Sequence, residues 1–204
     1  MIQHKFGRYR NYLLAQRRGS SRAPNRQPEA NPEEIATIAK DIRSRGILMP
    51  DGICHGSRCG TEIDLFHSCF DTCNESCLVV GTDLVANEHP DMIKWDFQKQ
   101  KDEWVGAFDF VYSNSLDHAS HPRGTLRLWL DQLQPNGRLY VKWTSDHKLE
   151  NRRLPHPGGD CFGASLEEYL LMLKEVGWVV DVLYLGGVSK RIRVVIVVKK
   201  KENE

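Results

Sequence analysis

The sequence has no apolar run approaching the roughly 20 residues that a membrane-spanning helix needs. Its first residues, MIQHKFGRYRNYLLAQRRG, lack the continuous apolar core of a secretory leader, so reduced thiols and a cytoplasmic setting are the expectation. There is no internal repeat and no low-complexity tract, which argues against a solenoid or an array. Net charge is nearly absent too: 28 Lys and Arg face 27 Asp and Glu, a formal +1. What remains is 204 residues of ordinary globular composition, enough for one α/β domain with a full core.

The near-zero charge hides an asymmetry. Residues 1–30 carry Lys5, Arg8, Arg10, Arg17, Arg18, Arg22 and Arg26 against Glu29 alone, leaving 21 basic and 26 acidic residues in the remainder. A basic arm of this kind can bind nucleic acid, or it can dock as a leader on its own domain; docking is the favoured expectation. Five of the six cysteines, Cys54, Cys59, Cys69, Cys73 and Cys77, lie close together, with Cys161 apart. The spacing of four from Cys69 to Cys73 to Cys77 would align them on one helical face, with His67 the nearest further ligand. Free cysteine is also a good small core residue, and no metal is expected.

Residues 2–18 have near-helical apolar spacing at Phe6, Tyr9, Leu13 and Leu14, and 19–31 read as a linker, so 1–31 are set apart from a domain over 32–204. Asn31, Pro32 and Glu34 mark the start of a helix with the stripe Ile35, Ile38, Ala39, Ile42, ending at Gly46. A short strand over 52–55 meets the loop Gly56-Ser57-Arg58-Cys59-Gly60, whose glycines permit a tight turn and close approach of a ligand. A helix from Thr61, with Thr61 as cap, buries Ile63, Phe66 and Phe70; an apolar strand over 78–82 then leads to Asp83, placed to accept from a ribose diol.

Further strands are expected at 91–95, 107–112 and 139–144, with Asp96 just past the third and the polar block Ser113, Asn114, Ser115, Asp117, His118 past the fourth. A helix is expected over 125–133, and LQPNGR is read as a loop in which Gly137 takes an unusual backbone angle. Residues 145–163 form a long polar segment of the kind that acts as a lid, containing His147 and His156. Ser165 and Glu168 form a capping box ahead of a helix closed by Gly177, and strands over 178–185 and 191–199 pair antiparallel across Gly186-Gly187. The alternation gives an α/β, doubly wound, seven-stranded, mostly parallel sheet with a C-terminal antiparallel hairpin.

In this order, CHGSRCG, VVGTDL, IKWDF, FDFVYSNSLDH and LQPNGRLYVKW make residues 32–200 resemble the class I S-adenosylmethionine-dependent methyltransferases. The resemblance implies a Rossmann-like fold with S-adenosylmethionine across the carboxyl ends of the first, second and fourth strands. It implies that Gly56, Ser57, Arg58 and Gly60 approach the methionine part and that Asp83 binds the ribose. Asp96 would accept from the adenine amino group, with Trp95 or Phe97 against the ring, and Asn114 would line the methionyl side.

Two departures stand out. Cys54 replaces the acid usual two residues before the first loop glycine, and Arg58 replaces the middle glycine, where it could pair with the cofactor carboxylate. No Asn-Pro-Pro-Tyr-type block follows the fourth strand, which argues against methylation of base amines. His118, with Asp117 beside it, is the candidate base; His55 and His121 could also face the cleft. A small-molecule acceptor is the expectation. A turnover-deficient binding protein of the same fold and a nucleic-acid binder using the arm are the alternatives, with a nicotinamide dehydrogenase the weaker enzyme alternative.

Overall fold

A computed structural model describes residues 1–3, 6–7, 9–22, 30–72, 75–85, 88–147, 160–185 and 192–201. Outside them lie Lys5, Arg8, Arg26, most of the 19–31 linker, Cys73, most of the 145–163 segment with His156, and the Gly186-Gly187 turn.

The main sheet has seven strands in the order β4-β3-β2-β5-β6-β9-β8. These are β2 (Asp51–His55), β3 (Leu78–Asp83), β4 (Met92–Lys94), β5 (Phe108–Ser113), β6 (Leu133–Thr144), β8 (Trp178–Leu185) and β9 (Arg193–Lys199). The first five pair in parallel, while β9 lies antiparallel between β6 and β8. Alternate residues of the central strands enter two cores, as the two-residue period requires. Ile53, Val111, Leu139, Val141 and Trp143 pack under α4 (Pro122–Asp131) and α5 (Leu166–Val176). Cys54, Phe110, Tyr112 and Tyr140 pack under α2 (Pro32–Ser44) and α3 (Thr61–Phe70).

Local signals set most helix ends. The Asn31 side chain accepts from the Glu34 N–H at 2.8 Å, Pro32 opens α2, and Gly46 follows its end at φ 81°. Ser165 and Glu168 form the complete capping box of α5. Thr61 does not cap α3: the cap position is Gly60 at φ 81°, with no side-chain capping bond, and Thr61 opens the helix. Helix α4 spans Pro122–Asp131 rather than 125–133, because Leu133 already belongs to β6, paired with Phe108. LQPNGR is therefore strand, with a register irregularity between Phe108 and Phe110 that accommodates Pro135. Gly137 is absent from the positive-φ positions; a Cβ there would lie 3.0 Å from the Phe108 carbonyl oxygen, a tight approach between neighbouring strands.

At the amino end, the helix α1 covers Tyr9–Arg22, not 2–18, and Ile2–Gln3 form a strand, β1. β1 pairs antiparallel with β7 (Phe162–Gly163), so tertiary pairing overrides the helical spacing. The Met1 amino group bonds Glu168, and the Gln3 side chain donates to the Ser120 carbonyl. No helix among the described residues is long and apolar enough to cross a membrane.

Helix α2 is locked to the sheet by polar groups that are themselves buried. Lys142 on β6 forms an ion pair with Glu34 at 2.7 Å, their side chains 2% and 0% exposed, and the Tyr112 hydroxyl donates to the same carboxylate at 2.5 Å. Tyr140, two residues from Lys142 on the same face, donates to Asp41 at 2.6 Å. Removing one partner of a buried pair strands the other charge, at a cost of about 3–5 kcal/mol. Lys142→Met should therefore lower unfolding free energy by about that amount in urea titration. Glu34→Leu combined with Lys142→Met should recover most of it; an equally unstable double variant would contradict the assignment.

His55, at the end of β2, is buried against Trp129 with ring centroids 5.1 Å apart, and its two nitrogens meet Thr82 Oγ1 at 2.9 Å and Gln132 Oε1 at 2.8 Å. Burial lowers its pKa to about 4, only partly opposed by the Gln132 bond. Because the unfolded chain takes up this proton more readily, the His55 contribution is present above pH 6.5 and is lost as pH falls toward 4. Its full size is about 3 kcal/mol. The difference in stability between wild type and His55→Gln should shrink over that interval in denaturant titrations; a pH-independent difference would refute it.

Candidate active site at the carboxyl ends of β2, β3 and β5

The strand order reverses at β2, which has β3 on one side and β5 on the other. A crevice opens there because the chain leaves the two sides in opposite directions. It holds a small, partly open cleft. Gly56, Arg58, Asp83, Leu84, Phe97, Ser115 and His118 form its walls, together with Tyr12 and Gln16 of α1.

The glycine loop turns as its residues suggest, with Gly56 at φ 78° and Gly60 at φ 81°. The space beside each is filled by the protein itself: a Cβ on Gly56 would lie 2.5 Å from Ser115 Cβ, and one on Gly60 would lie 2.4 Å from the His89 ring. These glycines let the loop pack on its neighbours. Arg58 also adopts a left-handed conformation, φ 40°, uncommon for a residue with a side chain, and borders the cleft. Ser57 is buried beneath the loop.

Asp83, the last residue of β3, accepts from the Val85 N–H at 2.8 Å. Burial raises its pKa; the Val85 bond and the charges of Arg58 and His118 oppose the rise. Asp96 is also raised by burial, and it accepts from the Gln98 N–H at 3.0 Å and from the Tyr9 hydroxyl. Phe97 is held by Trp129, whose indole N–H donates to the Phe97 carbonyl at 3.0 Å while the two rings meet edge to face at 5.5 Å.

The sequence-predicted residues thus fall into two groups. Gly56, Arg58, Asp83, Phe97 and His118 line one cleft. Ser57, Gly60, Asp96, Asn114 and Asp117 stand around it: Asn114 donates to the buried Glu62 carboxylate at 2.9 Å, and Asp117 is buried behind His118. Ser115, beside Asn114, reaches the cleft. His55 sits in the core, and His121 is an exposed residue at the start of α4.

Sequence reasoning placed Tyr9 in the apolar stripe of α1 but missed Tyr12 and Gln16. Tyr9, Tyr12 and Gln16 recur at spacings of three and four, so they share one face. Tyr9 and Tyr12 stack at 5.4 Å, Tyr9 bonds Asp96, and Tyr12 is buried in the cleft wall. The exposed Arg10 and Arg17 lie away from this contact. The signal was present as an aromatic and polar stripe, but it was read through the basic charge around it.

No protein-family model matches the sequence, and no curated protein matches it either. Solved structures do. A 1,6-didemethyltoxoflavin-N1-methyltransferase from Burkholderia thailandensis, with 1,6-didemethyltoxoflavin and S-adenosylhomocysteine bound, superposes with TM-score 0.72 and 13% identity over 98% of this chain and 94% of that one. The N-methyltransferase NodS from Bradyrhizobium japonicum, in complex with S-adenosylhomocysteine, superposes with TM-score 0.64 and 15% identity over 92% and 99%. The chain has the class I methyltransferase fold. The [4+2]-cyclase SpnF shares it as well, with TM-score 0.60 and 13% identity over 98% and 97%, so the fold alone does not fix the chemistry.

Within this methyltransferase fold, His118 is held by a closed ring of hydrogen bonds. The Cys161 thiol donates to the His118 carbonyl at 2.9 Å and accepts from the Gln16 amide nitrogen at 3.2 Å. That turns the Gln16 amide oxygen toward His118 Nδ1 at 3.1 Å, so Nδ1 carries the proton. Nε2 faces Asp160 Oδ1 at 3.6 Å, an ion pair once the ring is protonated on both nitrogens. In long-range proton–nitrogen correlation spectra, neutral His118 should show the Nδ1–H form, and Gln16→Leu should remove that preference. An Nε2–H form in the wild type would mean that the ring is wired the other way.

Proposed function

We propose that the protein is an S-adenosylmethionine-dependent methyltransferase acting on a small-molecule acceptor. The observation that carries this reading is the cleft itself, with the Asp83 carboxylate, Phe97 and the Gly56–Gly60 turn converging at the strand-order reversal of this fold. The fit is chemical as well as spatial. Asp83 is a largely desolvated carboxylate at the cleft wall, and the hydroxyls of a ribose diol would supply it with donors. Two of the structural neighbours, from Burkholderia thailandensis and Bradyrhizobium japonicum, hold S-adenosylhomocysteine.

In this reading Phe97 packs on the adenine face. Asp96 offers a remaining lone pair to the adenine amino group beside the Tyr9 hydroxyl. Arg58 pairs with the carboxylate of the methionyl part. The cofactor, when bound, supplies a methyl group activated by a sulfonium. The chain positions the acceptor and excludes water: Ser115 and His118 border the remaining space, and Tyr12 and Gln16 cover it. For an oxygen acceptor, His118 Nε2 takes the proton.

The cover formed by α1 favours a small acceptor over a duplex, and it makes α1 part of the catalytic unit rather than a separate arm. A binding protein without turnover is the second reading, favoured by Arg58 in its left-handed conformation inside the loop.

Calorimetric titration tests the proposal. Wild-type protein should bind S-adenosylmethionine or S-adenosylhomocysteine with micromolar affinity. Asp83→Ala should weaken binding roughly tenfold or more, the scale of a lost charge-assisted bond to the ribose. Absence of binding at millimolar ligand, with the protein folded by circular dichroism, would overturn it.

A further inference from the structure

The cysteine cluster near the end of α3 plays no part in the cleft. Helix α3 starts at the glycine loop and runs back along the sheet, so its last turn lies at the amino end of β3, the edge opposite the cleft. His67 and Asp71 stand one turn apart at that helix end, and Cys77 immediately precedes β3. His67 Nδ1 lies 3.0 Å from Asp71 Oδ2 and 3.7 Å from Cys77 Sγ, and one ligand atom from each of the three residues falls within 4.8 Å of the others. Cys69 is not part of this group; its carbonyl accepts from Arg43.

We propose that His67 Nδ1, Asp71 Oδ2 and Cys77 Sγ form a binding site for a thiophilic divalent cation of the zinc class. A tetrahedral zinc ion with ordinary bond lengths holds N and O ligands about 3.4 Å apart and N and S ligands about 3.6 Å apart. The two observed separations lie within a few tenths of an ångström of these, so small side-chain shifts admit the ion. The mixed N, O and S set selects zinc or cobalt over magnesium or calcium, which prefer oxygen alone. His67 and Asp71 are partly exposed, which gives an entry path, while Cys77 closes the inner side.

The surrounding bonds hold the ligands in place. Asp71 Oδ1 accepts from the Cys77 N–H at 2.9 Å, and Oδ2 accepts from Ser76 Oγ at 2.9 Å, both compatible with a cation on Oδ2. On binding, the His67 ring proton passes from Nδ1 to Nε2, and the Cys77 thiol proton is released to solvent as the metal–sulfur bond forms. Water completes the coordination. The ion would clasp the end of α3 to the start of β3, a structural role independent of the proposed methyl transfer.

The test uses the full chain, reduced and stripped with chelator, titrated with cobalt(II). One equivalent should produce a thiolate-to-cobalt charge-transfer band that zinc abolishes by displacement. Cys77→Ser should remove the band and weaken binding about tenfold or more, and His67→Asn should weaken it similarly; Cys59→Ser, remote from the cluster, should leave the cobalt band and the cobalt affinity unchanged. In unaltered protein, zinc should slow alkylation of Cys77, read by mass spectrometry, which covers the case of a variant that fails to fold. Affinity for S-adenosylmethionine should not respond to zinc, so this proposal and the one for the cleft fail separately. No band with excess cobalt and folded protein, a full band in Cys77→Ser, or unchanged alkylation would each overturn the site.

Discussion

One backbone carbonyl organises the working end of this molecule. The oxygen of Thr82 accepts from both Gly56 N–H at 2.9 Å and Ser57 N–H at 3.1 Å. A carbonyl has two lone pairs, and here both serve one loop. The bonds fasten the turn after β2 to the end of β3, so the loop cannot move independently of Asp83, the next residue. Glycine at 56 is needed twice over: for the left-handed angle that aims the two N–H groups, and because Ser115 occupies the place of a side chain. Loop, acid and the end of β5 are thereby fixed relative to one another before any ligand arrives, which is the preorganisation that positioning chemistry requires.

The same residue supports the cleft from below. Thr82 Oγ1 meets the His55 ring, whose other nitrogen meets Gln132, and Trp129 stacks on that ring while bonding the Phe97 carbonyl. A polar chain thus runs from β3 through β2 to the start of β6, and an aromatic chain runs from β2 through α4 to the cleft wall. His55 is buried with both ring nitrogens bonded, one of them to the Gln132 amide oxygen, and a group of this kind specifies one arrangement because a shift would leave it unpaired in a low dielectric.

Much of this was legible in the sequence, for physical reasons that differ by element. The caps at Asn31 and Ser165 are local, depending on residues within three positions, and they hold in the structure. The parallel strand over 78–82 is buried over most of its length although Leu78 at its start is exposed, and the final strands pair antiparallel as chain reversal requires. Glu34 was readable as a capping position, yet its carboxylate turns inward to Lys142, a partner 108 residues away that no local pattern reveals. Gly137 was misread for a related reason: a glycine closely approached by a distant carbonyl looks the same in sequence as one needed for its own φ. Of the residues that line the cleft, Gly56, Arg58, Asp83, Phe97 and His118 were legible, because the fold places them by topology; Tyr12 and Gln16 were not, because tertiary docking places them.

That last failure carries an argument about the site. Helix α1 is 14 residues long, a length at which an isolated helix in water is marginal, and its composition is polar apart from a few residues. Its order in the structure must therefore come from what it touches: Tyr12 buried beside Phe6, Tyr9 on Asp96, and Gln16 in the ring with Cys161 and His118. Two of those partners lie at the cleft wall or beside it, and Cys161 adjoins β7, which also holds β1. The contacts that order the helix are thus the contacts that cover the cleft and set the proton on His118. The same contacts therefore serve both the order of α1 and the cover of the cleft.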